Sequence, residues 1–291
     1  MISLSPQKMP PKAKKQIDKY IISSTLLGEG SYGQVYKGWL ADNKNLEVAI
    51  KVMPLDAFNA KSKLYFREID ILSKLKASNL VELYSTFVTS HNVYIVMEYC
   101  NEGSLKEVLK QKGGKLLEMD VWKFCLDIIK GFKCLYSKKV IHRDIKPSNI
   151  LVHDGEAKIA DFGFARFLDE FAMEKKEKLS GLGTPIYTAP EILASEQFSS
   201  RCDVWSLGIM LYELLYGKTP WEYIGSNELY LDSLTTEPLA FPEKPNVSIQ
   251  LKELIKGMLE VKEENRFSWP ELFIHEYFDG KLLLDFEMLK Y

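Results

Sequence analysis

The order of the hydrophobic patterns predicts an α+β protein of two lobes with a cleft between them. Residues from Tyr20 to Tyr99 read mainly as strands around one helix. The chain after Ser104 reads mainly as helix, and a short polar break, Asn101-Glu102-Gly103-Ser104, divides the two. Strands followed by helices point to segregated layers rather than to alternating βαβ units. A cleft between lobes is the usual seat of a small ligand.

Each element has its own signal. Ile21-Ile22 leads into Leu26-Leu27, and Gly28-Glu29-Gly30-Ser31-Tyr32-Gly33 then turns the chain. Val35 to Trp39 has strand character, as does Val48 to Met53 after a loop over Ala41 to Asn45. From Lys61 to Leu75 the residues Leu64, Tyr65, Ile69, Leu72 and Leu75 recur at three- and four-residue steps, which is one helix face. Leu80 to Val88 and Val93 to Tyr99 alternate or run apolar, as paired strands do. Dense apolar spacing predicts helices over Met119 to Tyr136, Asp203 to Tyr216 and Ser248 to Leu259.

Composition sets the outer bounds. The 291 residues are 46% hydrophobic and 27% charged, ordinary for a globular protein with a sizeable core. The net charge of −2 supplies no bulk field for nucleic acid or an anionic membrane. No apolar run approaches the length of a membrane span, and the N-terminus lacks the apolar region of a signal peptide. Cys100, Cys125, Cys134 and Cys202 form no CxxC pair and have no accompanying His cluster. They read as reduced, mostly buried thiols of a cytoplasmic or nuclear protein. Residues 1–19 are the exception in composition, with Lys8, Lys12, Lys14, Lys15 and Lys19 against Asp18 and with Pro6, Pro10 and Pro11. They read as a disordered tail, with a basic docking arm as the alternative. Asn246-Val247-Ser248 fits a glycosylation sequon and is assigned no role.

Two clusters of residues carry chemistry. Gly28-x-Gly30-x-x-Gly33-x-Val35 lets backbone approach phosphates closely. Its commonest rival, the dinucleotide-binding turn, needs a helix directly after the glycines, and a strand follows here instead. Lys51, at the end of Val48-Ala49-Ile50-Lys51, is placed to reach back over the phosphates as a point charge. A solvated strand lysine is the alternative. Glu68, on the following helix, is the candidate partner for Lys51, although most helical glutamates lie on the surface. Further on, His142-Arg143-Asp144-Ile145-Lys146-Pro147-Ser148-Asn149 is followed by Asp161-Phe162-Gly163. Within about twenty residues this supplies a general base (Asp144), a cation (Lys146) and two oxygen ligands for Mg²⁺ (Asn149 and Asp161), the set that phosphoryl transfer requires. His142 and Phe162 read as packing residues.

From Tyr20 to Phe278 the chain resembles a eukaryotic protein kinase domain, and the resemblance implies more than the spacing alone. It implies a bilobal fold, with a five-stranded antiparallel sheet and one helix in a lobe over 20–100 and a mostly helical lobe over 101–278. Residues 279–291 would be an extension. ATP and Mg²⁺ are the implied cofactors. The loop Gly28, Glu29, Gly30, Ser31, Tyr32, Gly33 and Gln34 would lie over the phosphates. Leu27, Val35, Ala49 and Leu151 would wall the adenine, with Met97 behind it and backbone groups of Glu98 and Cys100 bonding its edge. Asp144 would accept the substrate hydroxyl proton, and Lys146 would offset charge on the transferred group.

Lys146, two places after Asp144, resembles the serine/threonine type. So does Gly183-Thr184-Pro185-Ile186-Tyr187-Thr188-Ala189-Pro190-Glu191, in which Thr184 matches the threonine that touches the catalytic aspartate and lysine. The bulky Phe164 implies a serine acceptor in a protein substrate. In the activation segment, 161–191, Ser180 matches a phosphorylated position, modified by an upstream kinase or by the protein itself, with Arg143 as the phosphate's partner. Glu191 and Arg266 match an anchoring ion pair, and Asp203 matches an aspartate that steadies the catalytic loop. Ser104 and Ser148 stand where kinases that demand arginine before the acceptor carry acidic residues, and Glu213 matches a further acidic site. The chain departs from the family at Ala77-Ser78-Asn79, where His-Pro or His-Asn is usual. The rival readings are a binding module of the same fold without activity and a small-molecule kinase. Subgroup resemblance runs weakly toward the autophagy-initiating and the NIMA-related kinases.

Overall fold

The computed structural model describes residues 15–30, 33–55, 61–167 and 184–278. The first lobe is an antiparallel sheet of β1 (Lys15–Ile17), β2 (Tyr20–Gly30), β3 (Gly33–Leu40), β4 (Asn43–Pro54), β5 (Leu83–Val88) and β6 (Asn92–Glu98). Its order is β1-β2-β3-β4-β6-β5. α1 (Lys61–Lys74) lies between β4 and β5 in the chain.

The sheet has six strands where five were expected, because the supposed tail contributes β1. Lys15–Ile17 pairs with Tyr20–Ile22 across the tight turn Asp18-Lys19, with Asp18 at φ 50°. Lys15 Nζ donates to the Tyr94 hydroxyl at 2.6 Å, and Ile17 packs on an apolar cluster of the sheet. The lysine-rich composition concealed this strand. Residues 1–14 and 279–291 lie outside the described residues. The expected loop at Ala41 to Asn45 is shorter, since β4 already begins at Asn43.

Strand periodicity divides the lobe's apolar residues between two faces. On β6, Tyr94 and Val96 join Tyr20, Ile22, Tyr36 and Ile50 on one face. Val93 and Ile95 join Met53, Ile71 and Leu72 of α1 on the other, and that face is continuous with the core of the second lobe.

The second lobe begins with α2 (Leu105–Gln111), started by a capping box in which Ser104 and Glu107 satisfy each other's backbone N–H groups. α3 (Glu118–Ser137) follows. The short pairs β7 (Val140–Ile141) with β10 (Arg166–Phe167), and β8 (Ile150–His153) with β9 (Glu156–Ile159), bracket the His142–Asn149 loop and Asp161. Beyond them come α4 (Pro190–Leu193), α5 (Arg201–Tyr216), α6 (Asn227–Thr236), α7 (Ile249–Met258) and α8 (Trp269–Phe273). α5 buries every residue except Arg201 and Glu213, so it is apolar nearly all round and forms the centre of the lobe. Phe132 of α3 stacks on Trp269 of α8 with ring centroids 3.9 Å apart.

Candidate active site

A cavity of about 680 Å³ opens between the lobes, lined from above by β2, β3 and β4 and from below by the His142–Asn149 loop and the start of the segment after β9. Lys51 is its central cation. β4 turns Lys51 inward on the face of the sheet that meets α1, and its Nζ lies 2.7 Å from Glu68 Oε1 and 3.1 Å from Asp161 Oδ1. Glu68 is therefore a buried partner, not a surface glutamate. Burial works against the Lys51 ammonium, but the carboxylates of Asp161 and Glu68 outweigh it and hold its pKa above the ordinary lysine value. Burial dominates at Glu68 and raises its pKa. At Asp161 burial is outweighed by Lys51, and the pKa is lowered.

The lower wall is held from behind. The buried Asp203 carboxylate accepts the backbone N–H groups of His142 and Arg143, each at 2.7 Å. His142 packs edge-on against Phe162 with its ring nitrogen 3.0 Å from the Ala160 carbonyl, a packing role as expected. Asn149 Nδ2 donates to Asp144 Oδ2 at 2.7 Å and to the Asp144 carbonyl at 2.8 Å. Lys146 Nζ lies 2.9 Å from both Asp144 oxygens. Glu191 and Arg266 form a buried two-bond pair at 2.8 and 2.9 Å.

The donor set leaves oxygens that could hold a divalent cation. Asn149 uses its amide nitrogen on Asp144, and Asp161 uses only Oδ1 on Lys51 and the Gly163 N–H. Among the described residues nothing donates to Asn149 Oδ1 or Asp161 Oδ2, and both residues line the cavity. One amide and one carboxylate oxygen, with room for water and phosphate, suit Mg²⁺. No cluster of three or more His, Cys, Asp or Glu occurs among the described residues, so a closed all-protein cage is not the arrangement here.

Most predicted cavity residues line it: Leu27, Gly28, Glu29, Gly33, Val35 and Ala49 above, Met97, Glu98 and Cys100 at the edge, and Leu151 below. Gln34 does not. It alternates with Val35 on β3 and instead donates to Glu29 Oε1 and accepts from the Tyr36 hydroxyl. Gly30 pairs with Gly33 at the strand ends. Ser31, Tyr32 and Ser180 lie outside the described residues. The expected contact of Thr184 with Asp144 and Lys146 is not formed. Thr184 is exposed, its carbonyl accepts from the Tyr187 N–H and Thr188 Oγ1, and the described partners of the Asp144 oxygens are Lys146 and Asn149. Glu213 accepts the Tyr187 hydroxyl at 2.6 Å, a packing bond.

Arg143, at φ 66°, donates to the Phe164 carbonyl through Nε at 2.8 Å and through Nη2 at 2.5 Å. Its Nη1 is buried without a hydrogen-bond partner among the described residues. Burial, followed by the charge of Arg166, brings its pKa down to about 10. Val81 and Lys158, which the sequence did not mark, and Leu72, marked only as part of a helix face, also build this region. Val81 and Leu72 line the cavity, and only their apolar periodicity could have marked them.

A deep interlobe cavity with a lysine–glutamate pair, a cation-held aspartate and two free oxygen ligands defines the class of enzymes that transfer a nucleotide's phosphoryl group. The chain belongs to the protein kinase domain family, which matches residues 21–278. It is 34% identical over 266 residues to human (Homo sapiens) serine/threonine-protein kinase ULK1, covering 88% of this chain and 25% of that protein. It is 34% identical to Dictyostelium discoideum serine/threonine-protein kinase atg1, covering 90% and 40%. It is 32% identical to Caenorhabditis elegans serine/threonine-protein kinase pak-1, covering 92% and 45%. The chain thus spans a quarter to under half the length of these relatives. The domain is of the serine/threonine protein kinase type, and such a domain uses ATP. No helix among the described residues is long and apolar enough to cross a membrane.

Proposed function

We propose that this chain is a catalytically competent kinase that moves the γ-phosphate of ATP, with Mg²⁺, to a serine hydroxyl of a protein. One observation carries the reading. Lys51 bridges Glu68 and Asp161 in the same cavity in which Asp144 is held by Lys146 and Asn149. The usual mark of a binding module that has lost activity is the loss of Lys51, Asp144 or Asp161, and none is lost here. The bulky Phe164 supports serine over threonine, and the free cysteines support a cytoplasmic or nuclear setting.

Lys51 and the backbone around Gly28 and Gly33 would bind and orient the phosphates, with adenine between Ala49 and Leu151 against the edge at Glu98 and Cys100. Asn149 and Asp161 would hold Mg²⁺, which supplies charge neutralisation on the phosphates. Asp144 would accept the substrate hydroxyl's proton and aim its oxygen in line. Lys146, bonded to Asp144, would stay close enough to offset charge on the transferred group. Radiolabel transfer from ATP to a protein substrate tests this. Asp161→Asn is expected to lower it by about a hundredfold or more, and transfer near the parent level would refute the metal assignment.

Phosphorylation of Ser180, by this chain or an upstream kinase, is proposed to activate the enzyme. The support is a cation that could receive a phosphate: the Nη1 of Arg143 has no partner among the described residues, and burial, then the neighbouring charges of Arg166 and Arg67, lowers its pKa. Ser180→Ala is expected to reduce activity several-fold. Equal activity of the fully dephosphorylated and phosphorylated proteins would defeat the idea.

A further inference from the structure

One buried ammonium, used by none of these steps, joins three segments around the cavity. Lys158 stands on β9, three residues before Asp161, and is 9% exposed. Its Nζ lies 2.9 Å from Glu98 Oε1 and donates to the Ser78 carbonyl at 2.6 Å. Glu98 ends β6, and its backbone runs on to Cys100 along the cavity edge. Ser78 lies in the loop after α1, the helix that carries Glu68.

The same three segments are stitched together around that contact. Asn79 Nδ2 donates to the Ala157 carbonyl at 3.1 Å, the Ile159 N–H to the Asn79 carbonyl at 2.9 Å, and the Val81 N–H to the Ile159 carbonyl at 3.0 Å. The Glu98 N–H donates to the Glu82 carbonyl at 2.9 Å, and the second Glu98 oxygen accepts the Glu82 N–H at 3.3 Å. A small apolar cluster of Val81, Cys100 and Ala160 packs among them, with Met97 and Leu151 against it, and all five line the cavity. A buried ion pair is weak evidence for stability, because desolvation offsets the attraction. Its best-attested use is to specify one arrangement among several.

We propose that Lys158 is a positioning residue for nucleotide binding: through Glu98 it fixes the backbone of residues 98–100 against which the base docks. The inference rests on the reading of this cavity as an ATP site. Ser78 is the second anchor, so the edge is set relative to the loop behind α1 and not merely to β9. Removing the ammonium leaves the Glu98 carboxylate shielded and unpaired, and the backbone that carries it shifts to bring the carboxylate to water.

Steady-state kinetics of the full chain, with ATP and a protein substrate varied separately, test the proposal. Lys158→Met is expected to raise the KM for ATP about tenfold, while kcat and the KM for the protein substrate stay within about twofold. Lys158→Arg, which restores the charge, is expected to bring the KM for ATP back to within about threefold of the parent. Lys158→Met combined with Glu98→Gln is expected to bind ATP better than Lys158→Met alone, because no unpaired charge remains. A merely structural role would lower the melting temperature without separating the two KM values. An unchanged KM for ATP, or a fall in kcat alone, would overturn the proposal. Should Lys158→Met not fold, Glu98→Gln serves alone: an increase of about threefold in the KM for ATP is expected, and no increase overturns the proposal. Absence of any ATP-dependent transfer by the parent protein would defeat the ATP reading itself, whereas failure confined to the variants defeats only the role of Lys158.

Discussion

The floor and the roof of the cavity are secured in opposite ways. On the floor, His142, Asp144 and Asn149 are 0%, 6% and 7% exposed, and the backbone N–H groups of His142 and Arg143 are tied to Asp203 on the central helix of the larger lobe. On the roof, Leu26 and Leu27 are 47% and 38% exposed, and the β2–β3 pairing shifts register twice between Ile22 and Gly28. A reacting group must be placed to within a fraction of an ångström, and a displacement of 1 Å can cost about a hundredfold in rate. A surface that covers a ligand has no such demand and can stay adaptable. The difference assigns chemistry to the over-determined floor and accommodation to the irregular roof.

The sharpest way to break this contrast is at Asp144. Asp144→Asn keeps the shape and removes the proton acceptor, so kcat is expected to fall by about 10²- to 10⁴-fold with little change in the KM for ATP. A comparable rise in the KM for ATP would mean that Asp144 itself contributes to nucleotide binding and that its role is not confined to the chemical step. The next largest effect is on the roof itself. A Cβ added at Gly33 would lie 2.3 Å from the Val52 carbonyl oxygen, inside the sheet, so Gly33→Ala must displace backbone. It is expected to cost about 1–3 kcal/mol in thermal unfolding and to raise the KM for ATP several-fold. Gly28→Ala is the smallest, since nothing lies within 4 Å of a Cβ there. Stability within about 0.5 kcal/mol of the parent is expected in the same melting experiment. Equal damage at the two glycines would show the roof to be as tightly specified as the floor.

Much of this was legible because local chemistry and local geometry coincide. His142 to Asn149 with Asp161 is a nearly contiguous set, and its residues converge with no long-range surprise. α5 announced itself by a dense apolar stretch, Leu207 to Tyr216 interrupted only by Gly208 and Glu213, as a buried helix carries. The Lys51–Glu68 pair was visible only as a hypothesis, because a glutamate on a helix says nothing of its direction until α1 is packed on the sheet. β1 was hidden because lysines crowd the segment around it, although Ile17 packs on the sheet's apolar cluster. Lys158 was invisible for the reverse reason. Its partners, Glu98 and Ser78, stand 60 and 80 residues away in the chain, and nothing in its local pattern, Glu156-Ala157-Lys158-Ile159, distinguishes it from a solvated strand lysine. The expected Thr184 contact does not appear among the described residues, where Asp144 is held by Lys146 and Asn149.

The extra edge strand bears on where this domain can be cut. Family likeness begins at residue 21, but Ile17 and Tyr20 help to roof the Tyr94 side of the sheet and Lys15 holds the Tyr94 hydroxyl. A fragment trimmed to the likeness would lay bare Ile22, Tyr36 and Ile50 and leave β2 as an unprotected rim, the kind of surface on which chains stack into aggregates. Packing extends the sheet to Lys15, six residues before the family likeness begins.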